Sequence, residues 1–179
     1  MQSRDRYTIA LLSAFAVALH GIEGLIPAPV PWLRFGFANL ITLVALLRFG
    51  FRAAFSVTLI RVILASMLNG SFPGPGFVLS LGGGVTSTLS MGLVFAMLPK
   101  IFSPFGLSII GAFFHNSAQL VLAYFLFIGR LEPVLLISPV IIFIGIITGA
   151  INGIVAGMVM KELEKKDRRD ADKNGIISK

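Results

Sequence analysis

The chain has no cysteine and few acidic residues, eight Asp and Glu against fifteen Lys and Arg. Without cysteine there is no disulfide, no thiolate metal site and no cysteine nucleophile. Charge of either sign is thin at 13% of residues, where soluble domains carry about 25%. No segment has the G-x-x-x-x-G-K-[ST] pattern that cradles nucleotide phosphates, so the chain is not expected to hydrolyse nucleotide. Carboxylates are not grouped in the apolar segments either, where Glu23 stands alone. A catalyst that ionises a diphosphate needs such groups to hold magnesium. The expectation is therefore no enzyme, no cofactor and no metal.

What the sequence has instead is hydrocarbon. Apolar residues make up 56% of it and its mean hydropathy is +0.91, which places it in the membrane class. The 179 residues suit one compact helical bundle with no separate soluble domain. A net charge of +7 raises the question of nucleic acid. The basic residues, however, cluster at the ends of apolar segments and in the tail, as the positive-inside rule requires, so no nucleic-acid partner is expected.

A helix needs about 20 apolar residues to cross a bilayer. Six segments approach this, spanning residues 7–26, 33–49, 51–68, 77–98, 105–128 and 134–160. They are separated by "PAPVP", Gly50, "NGSFPGPG", "PKIFSP" and "GRLEP", all turn or breaker signals. Residues 161–179 read as a charged tail that extends the last helix by a turn or two and then frays. Arg4, Arg6, Arg48, Arg52, Lys100 and the tail share one side, and only Arg34 and Arg130 fall on the other. Both termini are then cytoplasmic in a multi-pass cell-membrane protein. The opening two arginines, apolar run and "PAP" have the outline of a signal peptide. The run is long for that purpose, however, and its far end carries His20 and Glu23.

Placed by depth at about 1.5 Å per residue, the polar residues gather in the outer half. His20 and Glu23 lie near the end of the first segment, Arg34 and Asn39 in the second, and Arg61 and Asn69 in the third. Gly82, Gly83 and Gly84 lie in the fourth, and His115, Asn116 and Gln119 in the fifth. A charge within a span costs about 2.5–3.5 kcal/mol on insertion scales and usually faces a cavity or a partner. Arg61 either pairs internally with Glu23 or, with Arg34, offers guanidinium forks to a carboxylate or phosphate. Arg34 may equally be read as snorkelling to headgroups. The helix-five polar residues suit interhelical hydrogen bonds or ligand contact alike. The run "LGGGVTSTLSMG" suits close helix packing, or close approach of its backbone to a ligand. Ala10, Ala14 and Ala18 recur every four residues, a smooth stripe against which another helix can pack. Two histidines and Glu23 match no familiar metal spacing.

The run "WLRFGFANLITLVALLRFGFRAAFSVTLIRVILASMLNGSFPGPGFVLSLGGG" with "FFHNSAQLVLAYF" resembles the Gx transporter family, often labelled heptaprenyl diphosphate synthase component I. That family is similar to the substrate-binding S components of energy-coupling-factor (ECF) transporters. The resemblance covers residues 7–160. It implies an all-α, six-span, S-component-like bundle that captures its ligand from outside beneath the loop "IPAPVPW". It also implies docking through the alanine stripe on a transmembrane coupling protein, with ATPase subunits supplying energy. The expected ligand is a small anionic molecule held by Arg34, Asn39, Arg61, Asn69, His115, Asn116 and Gln119, with Glu23 and His20 balancing charge. The alternative is a membrane component of prenyl diphosphate metabolism that binds an isoprenoid without catalysis of its own.

Overall fold

The computed structural model describes residues 3–23, 36–98 and 101–173, and those residues form only helices and turns. In chain order the helices are α1 (Ser3–Glu23), α2 (Asn39–Phe49), α3 (Phe51–Leu68), α4 (Pro75–Met97), α5 (Pro104–Ala123) and α6 (Leu131–Lys173). A five-residue π-helix, Tyr124–Ile128, continues α5. Four of them, namely α3, α4, α5 with its π-turn and α6, are long and apolar enough to cross a membrane. The protein is a multi-pass membrane protein.

Local sequence explains most boundaries. Gly50 adopts φ +84°, which turns the chain from α2 directly into α3. Pro75 and Pro104 stand in the first turns of α4 and α5, where a missing N–H costs nothing. The Ser103 side chain caps α5 by accepting from the Gly106 N–H at 3.3 Å.

Helix α2 departs from expectation. It starts at Asn39 and not at Leu33, because Gly36 takes φ +82° and Phe37–Ala38 form a turn. Residues 33–35, and the expected end of the first helix at Ile26, lie outside the described residues. At eleven residues α2 is about 16 Å long, roughly half of a 30 Å hydrocarbon core. It nevertheless contacts all five other helices, so the shortest helix is the central post of the bundle.

The last helix also differs from expectation. Helix α6 runs unbroken for 43 residues, with no fraying after a turn or two beyond Met160. Met160 and Leu163 pack against the main apolar cluster. Asp167 reaches Arg48 at the end of α2, 2.6 Å away, and Lys165 pairs with Glu162. These contacts hold the extension in register.

The main apolar cluster takes Leu43–Leu46 of α2 with Ile9, Ala16, Ala53, Ala54, Val57, Met91, Leu107 and Ala156. It fills the half of the bundle toward the α2–α3 turn. Helix α6 packs on α5 through glycines spaced every four residues, a small-residue seam that brings backbones close. Gly149 lies against Ala112 and Ser108, and Gly153 against Phe105 and Ser108. A Cβ at 153 would stand 2.6 Å from the Phe105 Cα, whereas one at 157 meets nothing within 4 Å. Gly153→Ala is therefore expected to cost about 1–3 kcal/mol by overpacking, and Gly157→Ala to leave stability unchanged. Unfolding of both variants in detergent checks this, and equal stabilities would contradict the seam.

Candidate functional site: a buried polar layer around Gly36

The other half of the bundle carries a polar layer to which every helix contributes. Its organiser is a backbone unit. The Gly36 N–H donates to the Glu23 carboxylate at the end of α1. The Gly36 carbonyl accepts from the Asn152 Nδ2 of α6 at 3.0 Å and from the Asn39 N–H at 2.9 Å. The absence of a side chain matters as well, since a Cβ here would stand 3.1 Å from Asn39 Nδ2 and 3.7 Å from the His115 ring.

From Asn39 the network continues outward in two directions. Arg61 of α3 donates through Nη2 to Asn39 Oδ1 at 3.1 Å. Because that bond assigns the oxygen, Asn39 Nδ2 faces His115 Nδ1 of α5, 3.4 Å away. The His115 ring also hydrogen-bonds the backbone of Gly83 on α4. Helix α4 closes the layer with glycines. The bare α-carbon of Gly84 leaves room for the Arg61 guanidinium, and that of Gly83 for His115 and Gln119. Gly82 faces outward onto Leu122.

A chain of hydroxyls lies beneath Arg61. Thr88 donates to the Gly84 carbonyl at 2.8 Å, and its oxygen lies 2.8 Å from that of Thr58. Thr58 in turn lies 3.1 Å from Thr42. Each hydroxyl has one proton, so donation runs from Thr42 to Thr58 to Thr88 to Gly84, tying α2, α3 and α4 together.

Arg61 is only 2% exposed. It feels the attraction of the Glu23 carboxylate, but the ion pairs within 4.0 Å among the described residues are Arg48–Asp167 and Lys165–Glu162. The Arg61 guanidinium hydrogen-bonds Asn39 instead. Several buried polar atoms have no hydrogen-bond partner among the described residues: Arg61 Nε, His115 Nε2, Asn116 Oδ1 and Ser87 Oγ. Arg61 Nε can only donate. Each such orphan costs about 1–3 kcal/mol.

The structure brings Glu23, Asn39, Arg61, His115 and Gln119 together, with Gly83 and Gly84 against them. Asn116 lies next to this group and points at Gly145 of α6. His20 is buried one turn before Glu23. Asn69 is a correction: it is exposed at the C-terminal cap of α3, eight residues and about 12 Å along the helix from Arg61. Arg34 and the loop "IPAPVPW" lie outside the described residues. Among the described residues no three His, Asp or Glu side chains are grouped to hold a metal.

Asn39 bonds the Arg61 guanidinium and Gly84 packs against it, and the loop expected to cover the pocket lies outside the described residues. Three cavities lined by described residues lie elsewhere: along the tail face of α6, between α5 and α6, and beside Ala14 and Ala18. Ala10, Ala14 and Ala18 themselves face outward and are exposed. Sequence reasoning missed Gly36, Asn152 as its partner and the threonine chain. The available signal was "RFGFAN", a glycine three residues before an asparagine inside an apolar run.

The sequence profile of a family described as heptaprenyl diphosphate synthase component I matches residues 12–159. Among solved structures, the S component of a bacterial ECF transporter is similar, with 26% sequence identity and a TM-score of 0.61. The alignment covers 94% of this chain and 98% of that one. No curated protein matches in sequence.

The geometry makes Gly36 more sensitive than Gly129, another glycine of positive φ. Gly36→Ala combines left-handed backbone strain of about 1–2 kcal/mol with pressure on Asn39, whereas Gly129→Ala, in the left-handed region at φ +63°, meets no neighbour within 4 Å. Thermal unfolding is expected to place Gly36→Ala below Gly129→Ala; the reverse order would remove Gly36 from its organising position.

Proposed function

The chain belongs to the heptaprenyl diphosphate synthase component I family, and on that premise we propose that it is the substrate-binding membrane subunit of an ECF-like importer. The likeness to an S component along nearly the whole of both chains supports this reading. All six helices lie in the membrane, the shorter α1 and α2 included, with residues 161–179 forming a cytoplasmic tail and both termini cytoplasmic.

The substrate is a small anionic molecule captured from outside. The observation that carries this is the set of orphan polar atoms. Arg61 Nε points its hydrogen at no described acceptor and His115 Nε2 is a second buried nitrogen with no described partner, in a region where an unmet polar atom is costly. A carboxylate or phosphate supplies partners for both and a counter-charge for the guanidinium, which binds such groups in planar, bidentate fashion. Asn39 orients the two side chains, Asn116 accepts, and Glu23 with His20 balances charge when the site is empty. Arg34 adds a second cation, and Gly83 and Gly84 let the ligand approach the α4 backbone. Asn69 takes no part.

The subunit is no enzyme and uses no cofactor. It docks through Ala10, Ala14 and Ala18 on a transmembrane coupling protein whose ATPase subunits supply the energy. The outward exposure of all three alanines suits this role, because small side chains allow a partner helix close.

Native mass spectrometry of gently extracted protein is expected to show a retained small anion. Truncating one partner of a buried charge pair costs about 2–5 kcal/mol, so Arg61→Gln should lower retention at least 30-fold while a melting scan shows the variant folded. Undiminished retention by folded Arg61→Gln would refute the site. Ala14→Leu is expected to abolish co-purification with an ATPase module and leave the retained anion in place; unaltered co-purification would refute the stripe.

A further inference from the structure

Between α5 and α6 lies a cavity of about 490 Å³, within the 300–1,000 Å³ range of small-molecule sites. It shares no residue with the polar layer. Its α5 wall runs from Phe113 through Leu120 to Phe125, and its α6 wall from Leu131 through Val134 to Ile142. Leu120 and Ile141 pack together beneath it. Its few polar residues offer little. Ser138 already donates to the Leu135 carbonyl at 3.1 Å, which leaves Ser117 and Tyr124. The groove opens sideways, where Phe113, Val121, Phe125 and Leu131 are exposed.

The π-turn over Tyr124–Ile128 ends at Gly129 in the left-handed region, and α6 returns antiparallel from Leu131. The groove then follows the two helices for about twelve residues, or roughly 18 Å. One leaflet of a 30 Å hydrocarbon core is about 15 Å deep, so the groove matches one extended hydrocarbon chain lying along the bundle. A compact polar solute finds no partner there.

The turn end of the groove carries both signs of charge. Arg130 and Glu132 are the chain neighbours of Leu131, a lining residue, and both are exposed. We propose that this groove is a binding site for one bilayer phospholipid with a zwitterionic, primary-amine headgroup. One acyl chain fills the α5–α6 groove, the phosphate faces Arg130, and the ammonium faces Glu132. A purely anionic headgroup would satisfy Arg130 and meet repulsion from Glu132, so the mixed pair selects for a headgroup that carries both charges.

The test uses the full chain reconstituted in nanodiscs of equimolar phosphatidylethanolamine and phosphatidylglycerol, followed by native mass spectrometry after release into detergent. Wild type is expected to retain one phosphatidylethanolamine. Ser117→Phe and Leu131→Phe, which place a ring in the groove at positions that are not fully buried, should each reduce occupancy about tenfold. Arg130→Gln with Glu132→Gln should keep a bound lipid but lose the preference between headgroups. Three results would overturn the proposal: equal retention of both lipids by wild type, unchanged retention in whichever ring variant melts like wild type, or a polyprenyl diphosphate retained from native membranes in the phospholipid's place.

Discussion

The Gly36 peptide unit donates to the Glu23 carboxylate and accepts from Asn152 and Asn39, and the placement of α1, α2 and α6 follows from those bonds. Inside a bilayer a peptide group without a partner costs several kcal/mol, so these bonds act as constraints on the helices. They are reachable only because Gly36 adopts φ +82° and carries no side chain where Asn39 and His115 approach. Once Asn39 is held at the start of α2, its amide orders the rest. Its oxygen takes Arg61 and its nitrogen takes His115, which brings α3 and α5 into the same layer. The threonine chain then fixes α4 against α3 and α2. A buried guanidinium, costly in isolation by several kcal/mol, is thereby held in one orientation with one donor still unmet.

Much of this was legible in the sequence, and the reasons for the rest are physical. Hydropathy located the helical segments because a span must be apolar along its whole length. Depth counting placed Glu23, Asn39, Arg61, His115 and Gln119 in the outer half of the bundle, since rise per residue is fixed. That half is deep enough to hold Asn69 as well, which caps α3 at the surface about 12 Å along the helix from Arg61. The early start assigned to α2 has another origin: a glycine in an apolar run reads as helix until a positive φ interrupts it. Asn152 was visible as a deep polar residue, but its partner is a backbone carbonyl 116 positions away, and no pattern in the sequence announces such a bond. The unbroken tail helix brings Met160 and Leu163 onto the main apolar cluster and Asp167 to Arg48, contacts between residues far apart in the chain.

The two halves of the bundle are packed by different chemistry. The half toward the α2–α3 turn is ordinary hydrocarbon packing, close and featureless, which suits a rigid body that moves as a unit. The opposite half stores polar groups in excess of their partners. Natural proteins leave few buried polar atoms unsatisfied, and here such atoms converge from α3, α4 and α5 on one layer. The alanine stripe lies outside both halves, on the free face of α1, where a second protein can reach it without disturbing the layer. On the proposed reading, partner docking on the α1 face and ligand capture in the interior are spatially separate.

The central claim is that the orphan polar atoms of the polar layer are the ligand site. An experimental density map of the gently extracted protein, resolved well enough to place side chains, tests this most directly. The account predicts non-protein density within hydrogen-bonding distance of both Arg61 Nε and His115 Nε2. A map in which those two nitrogens are met by protein atoms alone, with no additional density in the layer, would contradict it.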